Sequence, residues 1–162
     1  VQSDEISVVL TDFADIATEA WFDGNVQKIV SVSASVVTAE FNETFRQRPD
    51  EPWGLFDARV FTIPDPVEVE NYLIWRQKDA IRNSVSSLAQ LLYSAKELHG
   101  ASQAVMLEMC RAKGHAWEES PTHVQRGTVV RRHQMAWQPD FRAPVFTAER
   151  AYLAELLRVE TA

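Results

Sequence analysis

The four residues Asp65-Pro66-Val67-Glu68 constrain the chain more than any others. Asp65 has the side chain of a helix N-cap, Pro66 fits the first helical position, and Glu68 completes a capping box. A helix starts here. Apolar residues at Val69, Tyr72, Leu73, Ile81, Val85, Leu88, Leu92 and Ala95 carry it onward, and His99-Gly100 offers a left-handed stop. More than about 30 residues is long for a globular helix, so a kink near Asn83-Ser84 is expected.

The other elements are shorter. Ile6 to Leu10 reads as an apolar strand, and Asp12 to Gly24 is polar and acidic with Trp21 and Phe22 as anchors. Asn25 caps a helix in which Val26, Ile29, Val30, Ser33, Val36, Val37 and Phe41 recur at helical spacing. Val and Ser are indifferent helix formers, so this helix depends on packing. Arg46 to Gly54 is a loop, and Phe56 to Ile63 alternates as a strand. Ser102 caps a third helix that runs to Lys113 and closes at Gly114, and His115 to Arg126 is irregular. Gly127 to Met135 reads as a strand. Thr147 to Val159 reads as an amphipathic helix burying Tyr152, Leu153, Leu156 and Leu157. This order indicates an α+β fold, an antiparallel sheet covered by helices on one face. A strand opening at residue 6 has no preceding partner, so the domain is expected to lack its first strand–helix unit.

At 162 residues, with 46% apolar and 24% charged side chains, a single ordered domain is expected. No apolar run is long enough for a membrane span. The opening VQSDEISVVL lacks the basic start of a signal peptide, and Cys110, the single cysteine, suits a reducing cytoplasm. One cysteine excludes an internal disulfide, and Cys110, His115 and His123 are too irregularly spaced to favour zinc. The net charge of −7 is uneven. Residues 1–70 hold 14 acidic and 4 basic side chains, whereas residues 71–162 hold 9 and 12. That distribution argues against a simple basic nucleic-acid sleeve, and it allows carboxylates to gather round a metal while arginines meet an anion elsewhere.

Asp4 and Glu5 are the acidic pair of interest. Neighbours on a strand point to opposite faces, so they share a surface only in a turn, where one carboxylate is free to hold Mg²⁺. Taken alone, the pair reads as an exposed turn. Its context is more informative. QSDEIS, then K-I-V-S-x-S-A-S, FDARVFTIP, NYLIWRQKDAIRNS and QRGTVV follow in an order that resembles the tRNA-histidine guanylyltransferase superfamily, the 3′-to-5′ nucleotide polymerases. The resemblance covers about residues 1–131; the stretch from His133 onward does not share it.

The resemblance implies a polymerase- and cyclase-like palm with a ferredoxin-like sheet, residues 1–133 forming its C-terminal portion and 134–162 an extension. It implies two Mg²⁺ ions, with GTP or ATP and tRNA as substrates, and a homotetramer. Asp4 would ligate both metals, Glu5 would assist, and Ser3 would touch the triphosphate. The family's other metal carboxylate, in an Asp-Gly-Arg-x-Phe segment, is absent from this sequence. Lys28 and Arg59 match nucleotide-binding positions, with Asn25 standing where the family has a basic residue and Asp57 placed to orient Arg59. Arg76, Asp79 and Asn83 match RNA-binding positions on one helix face, and Arg126 is a further RNA contact.

Ile81-Arg82-Asn83-Ser84 replaces the His-Ile-Asn-Asn of enzymes that add the extra guanosine to histidine tRNA, which resembles the members that repair 5′-truncated tRNAs. The basic residues Arg111, Lys113, Arg126, Arg131 and Arg132, with His115, His123 and His133, suit either RNA backbone or a solvated loop. Trp53, Trp117 and Trp137 suit base stacking or core packing. The expected function is Mg²⁺-dependent addition of nucleotides to a tRNA 5′ end in the cytoplasm, by guanylylation or templated repair. The alternative is a catalytically incomplete RNA-binding or assembly module; a signalling palm is a third reading that does not account for WRQxD.

Overall fold

The computed structural model describes residues 5–12, 16, 18–46, 53–133 and 136–157. In chain order the helices are α1 (Val26–Phe45), α2 (Pro66–Leu92), α3 (Gln103–Ala112), α4 (Thr122–Arg126) and α5 (Arg150–Leu156). Strands β1 (Val129–His133) and β2 (Ala136–Asp140) form an antiparallel pair. Helices and a two-stranded antiparallel sheet thus make up a mixed fold. The chain divides into two compact units, Val1–Val8 with Asp65–Arg158, and Val9–Pro64 with Val159–Ala162.

The first unit is built on α2. Asp65 caps it, accepting the Val67 N–H at 2.8 Å, with Pro66 at the first helical position. The helix differs from expectation at its far end: it stops at Leu92, seven residues before His99, because Tyr93 turns to φ −137°, ψ 151°. Lys113 Nζ takes the orphaned Leu92 carbonyl at 2.9 Å and sits 4.3 Å from the Tyr93 ring centroid, and the Tyr93 hydroxyl donates to the Met109 carbonyl. These contacts satisfy a helix end that Gly100 was expected to close. The helix is unbroken through Asn83-Ser84, where a kink was expected. The Ser84 hydroxyl lies 2.8 Å from both the Ile81 and Gln125 carbonyls and accepts the Trp117 indole N–H at 3.0 Å, which ties α2 to α4 and to Trp117.

Two apolar clusters flank α2. Ile74, Ala143, Phe146 and Leu153 form one, with Val129, Tyr152 and Leu156 against it; Leu153 is fully buried, as the amphipathic pattern of its helix requires. Ala89, Leu98 and Cys110 form the other, which seats α3, capped by Ser102 and followed by Gly114 at φ 81°. A buried amide bridges α2 to the C-terminal segment. Gln77 donates to the Pro144 carbonyl and accepts the Phe146 N–H, both at 2.8 Å.

The stretch 115–126, read as irregular, contains a 3-10 turn at Trp117–Glu119 and the helix α4. Elements this short show no apolar periodicity; the Gln125 amide secures them through the Glu118 and Ser120 carbonyls. β1 falls inside the expected strand, but β2 was not foreseen. It contains Pro139, tolerated because a two-stranded ribbon has edges that need no donor.

In the second unit, Asn25 Oδ1 caps α1 by accepting the Lys28 N–H at 3.0 Å. Trp21 and Phe22 stack on each other at 4.7 Å and remain exposed, so they do not anchor a core as expected. Neither Ile6–Leu10 nor Phe56–Ile63 joins a ladder among the described residues. Residues 53–59 alternate in exposure as a strand would, but their backbone partners are side chains of α1. Asn42 pairs with both backbone groups of Gly54 at 2.9 Å, and Thr38 Oγ1 accepts the Phe56 N–H at 3.1 Å. Apolar alternation marks a half-buried extended chain without specifying what satisfies its amides.

Candidate functional site

Spacings of four, three and four place Tyr72, Arg76, Asp79 and Asn83 on one face of α2. Residues 5–8 lie along that face. Glu5 is ion-paired with the Arg76 guanidinium, and the Ser7 and Tyr72 hydroxyls meet at 3.2 Å. The match follows from the two repeats. Two residues of extended chain span about 6.6 Å and four of helix about 6 Å, so Glu5 over Arg76 brings Ser7 over Tyr72 when the segment runs antiparallel to the helix. Ile6 and Val8 alternate with these contacts, and all four residues are exposed.

Arg76 is the centre of a charge chain. Its side chain is 16% exposed, it meets Asp79 Oδ2 at 3.4 Å, and it lies 4.6 Å from the Trp75 ring centroid. Asp79, itself 13% exposed, also pairs with Arg82. Glu5, Arg76, Asp79 and Arg82 thus alternate in sign and balance. Asn83 follows on the same face, half-buried.

The other expected positions are placed as follows. Ser3 and Asp4 lie outside the described residues. Lys28 is exposed in the first turn of α1, 5.9 Å from the Phe22 ring centroid. Arg59 pairs with Asp57 at 3.3 Å, both highly exposed, an arrangement worth little to stability. Lys28 and Arg59 belong to the second unit, whereas Arg76, Asp79, Asn83 and Arg126 belong to the first. Arg126 Nε donates to the Ala143 carbonyl at 2.8 Å and so fastens the C-terminal segment. Arg111 is held by Glu108 and Glu118, and Lys113 by Leu92.

Among the described residues, no group of three or more His, Cys, Asp or Glu side chains could hold a metal ion. Glu5 already gives an oxygen to Arg76. The described residues alone do not fit a Mg²⁺ site.

A second feature was not foreseen. Arg131, Gln138, Pro139, Asp140, Phe141 and Arg142 line an open groove of about 400 Å³ beside the ribbon. Arg131 meets Glu155 at 3.6 Å, and Asp140 accepts the Tyr152 hydroxyl at 2.7 Å. That bond, with the Arg142 N–H, holds the Asp140 carboxyl below its ordinary range, while burial and then Asp140 push the Tyr152 phenol upward. Trp137 is 70% exposed on the ribbon. Gln77 is the other residue the sequence reading missed; its spacing from Ile74 marked it as a polar group on the buried face.

The family model described as tRNAHis guanylyltransferase (Thg1) matches residues 1–64. A bacterial tRNA(His) guanylyltransferase (Thg1)-like protein in complex with ATP superposes with a TM-score of 0.88 at 37% identity, over 98% of this chain and 70% of that one. Such a protein in complex with GTP gives 0.76 at 34%, over 98% and 67%. An uncharacterized protein of Acanthamoeba polyphaga mimivirus is 26% identical over 156 residues, covering 81% of this chain. The chain spans about half, 53%, of that relative's length. The likeness first read from FDARV and YLIWRQKD therefore extends through the whole fold, and the chain belongs to the tRNAHis guanylyltransferase (Thg1) family.

Proposed function

We propose that the protein to which this chain belongs is a Mg²⁺-dependent nucleotidyltransferase that adds nucleotides to the 5′ end of tRNA in the 3′-to-5′ direction. The observation that carries this reading is the docking of the Glu5 segment on the Arg76–Asp79 face of α2, within a fold that superposes on an ATP-bound relative at 0.88. Residues 1–133 would form the C-terminal portion of a palm and 134–162 an extension. The two steps balance simply. The RNA 5′-monophosphate displaces pyrophosphate from ATP or GTP; then the 3′-hydroxyl of an incoming nucleotide attacks the activated phosphate and expels the nucleoside monophosphate. Positioning and charge neutralisation supply most of the acceleration in such chemistry.

In this reading Asp4 ligates Mg²⁺, with Glu5 beside it and Ser3 at the triphosphate. Lys28 and Arg59 meet nucleotide phosphates, for which the guanidinium fork of Arg59 is suited. Asp79 and Asn83 face the RNA end, and the groove with Arg131 and Arg142 offers cations to its backbone. The loss of the His-Ile-Asn-Asn motif supports 5′-end repair over strict histidine-tRNA guanylylation. A homotetramer acting in the cytoplasm accompanies this reading, and no described helix is long and apolar enough to cross a membrane. The test is extension of a 5′-monophosphorylated, 5′-truncated tRNA by the full protein with ATP, GTP and Mg²⁺. Extension that disappears with Asp4→Ala supports the proposal. RNA binding that ignores both Mg²⁺ and Asp4→Ala, without extension, replaces it with an RNA-binding module.

A further inference from the structure

We infer that Arg76 is a positioning residue that holds Glu5 in place, and is not an RNA contact. The inference rests on the reading of residues 3–5 as the metal- and nucleotide-handling part of the site. Four features of the structure carry it.

The Arg76 side chain faces inward at 16% exposure, while its partner Glu5 is 52% exposed. The cation is therefore the fixed member of the pair, and the carboxylate is the one that reaches solvent. The guanidinium plane is set from two sides, by Asp79 Oδ2 and by the Trp75 indole. A fork locked in this way loses little freedom when it takes a second carboxylate. The charge chain from Glu5 to Arg82 is balanced, so a phosphate at Arg76 would have to displace a carboxylate. Finally, Ser7 on Tyr72 fixes the segment at a second point in the same register. Two pins determine both the position of the segment and which alternate side chains face α2.

Three measurements on the full protein test this: the mobility of a spin label on Val8→Cys, an exposed position in the pinned segment, single-turnover nucleotide addition, and tRNA affinity as a function of salt. Arg76→Gln is expected to free that label, narrowing its spectrum, while a label on Leu91→Cys, an exposed position of α2, is unchanged. It is expected to slow the single-turnover rate about 10- to 100-fold, the usual effect of removing a group that orients an active-site side chain. The tRNA Kd should stay within twofold, with an unchanged salt slope. Arg76→Lys should recover part of the rate, because a point cation keeps the charge and loses the fork. Glu5→Gln, a change at a half-exposed side chain, should free the label in the same way, and the double variant should add nothing further.

An unchanged label spectrum in both single variants overturns the inference. So does a Kd weakened tenfold, with a salt slope reduced by about one, at an unchanged rate with saturating RNA, since that is the signature of a lost phosphate contact. Absence of nucleotide addition by the unaltered protein refutes the proposed function, and the label spectrum still decides whether Arg76 holds Glu5.

Discussion

Replacing Gln77 by Met should destabilise the first unit by about 2–4 kcal/mol. Gln77 is 6% exposed, and its amide serves two backbone groups at 2.8 Å, the Pro144 carbonyl and the Phe146 N–H. Met nearly conserves the volume, so the cavity contribution is small and the lost hydrogen bonds dominate. A buried backbone group left unsatisfied costs about 1–3 kcal/mol. The Phe146 amide, in the buried cluster, belongs at the upper end of that range; the Pro144 carbonyl, only half-buried, is partly rehydrated and belongs at the lower end. For a chain of this size each kcal/mol moves Tm by about 2–4 °C, so a fall of roughly 5–15 °C is expected. Urea and thermal unfolding followed by circular dichroism supply the measurement. Gln77→Glu adds an internal control: it still accepts the Phe146 N–H, but its second oxygen meets the Pro144 carbonyl unless protonated. Its folded-state carboxyl is therefore expected to titrate above the unfolded one, with stability greatest in acid and lost as pH rises. A Gln77→Met cost below about 0.5 kcal/mol would refute the argument that this amide ties the C-terminal segment to α2.

Three further outcomes are expected. A Cβ on Gly54 would lie 2.7 Å from two atoms of the Phe41 ring, itself packed between Phe45 and Phe56, so Gly54→Ala should cost about 1–3 kcal/mol in denaturant titration. Tyr152→Phe removes the main bond that lowers the Asp140 carboxyl; because a lowered acid stabilises above its unfolded value and loses that contribution as pH falls, the variant should show a flatter acid limb in stability against pH. Cys110 is fully buried, and burial pushes its thiol upward, so a thiol-reactive dye should label it only at the rate at which the α2–α3 core opens; fast labelling without denaturant would contradict that packing.

The helices were legible where local chemistry decides them. Asp65-Pro66, Asn25 and Ser102 each carry a cap that acts within three residues, and each cap is present in the structure. What failed depends on distant partners. α2 ends at Leu92, where Tyr93 turns to extended backbone and Lys113, from α3's far end, satisfies the Leu92 carbonyl. Phe56–Ile63 has the pattern of a strand, but the Phe56 N–H donates to Thr38 Oγ1 and the preceding Gly54 pairs with Asn42, which no periodicity reveals. The candidate site shows the same division. The face shared by Tyr72, Arg76, Asp79 and Asn83 follows from helical spacing alone. The pairing of Arg76 with Glu5 requires the register of a segment far away in sequence, which helical spacing does not supply.

Nucleotide addition at the 5′ end is read directly as incorporation of radiolabelled nucleotide onto a 5′-monophosphorylated tRNA lacking its first residue, with ATP or GTP as activator. The expected product is one or more nucleotides longer at the 5′ end, and its formation depends on Mg²⁺ and is abolished by Asp4→Ala. A full-length, folded protein that binds this tRNA and leaves its 5′ end unextended with either activator would contradict the proposed function.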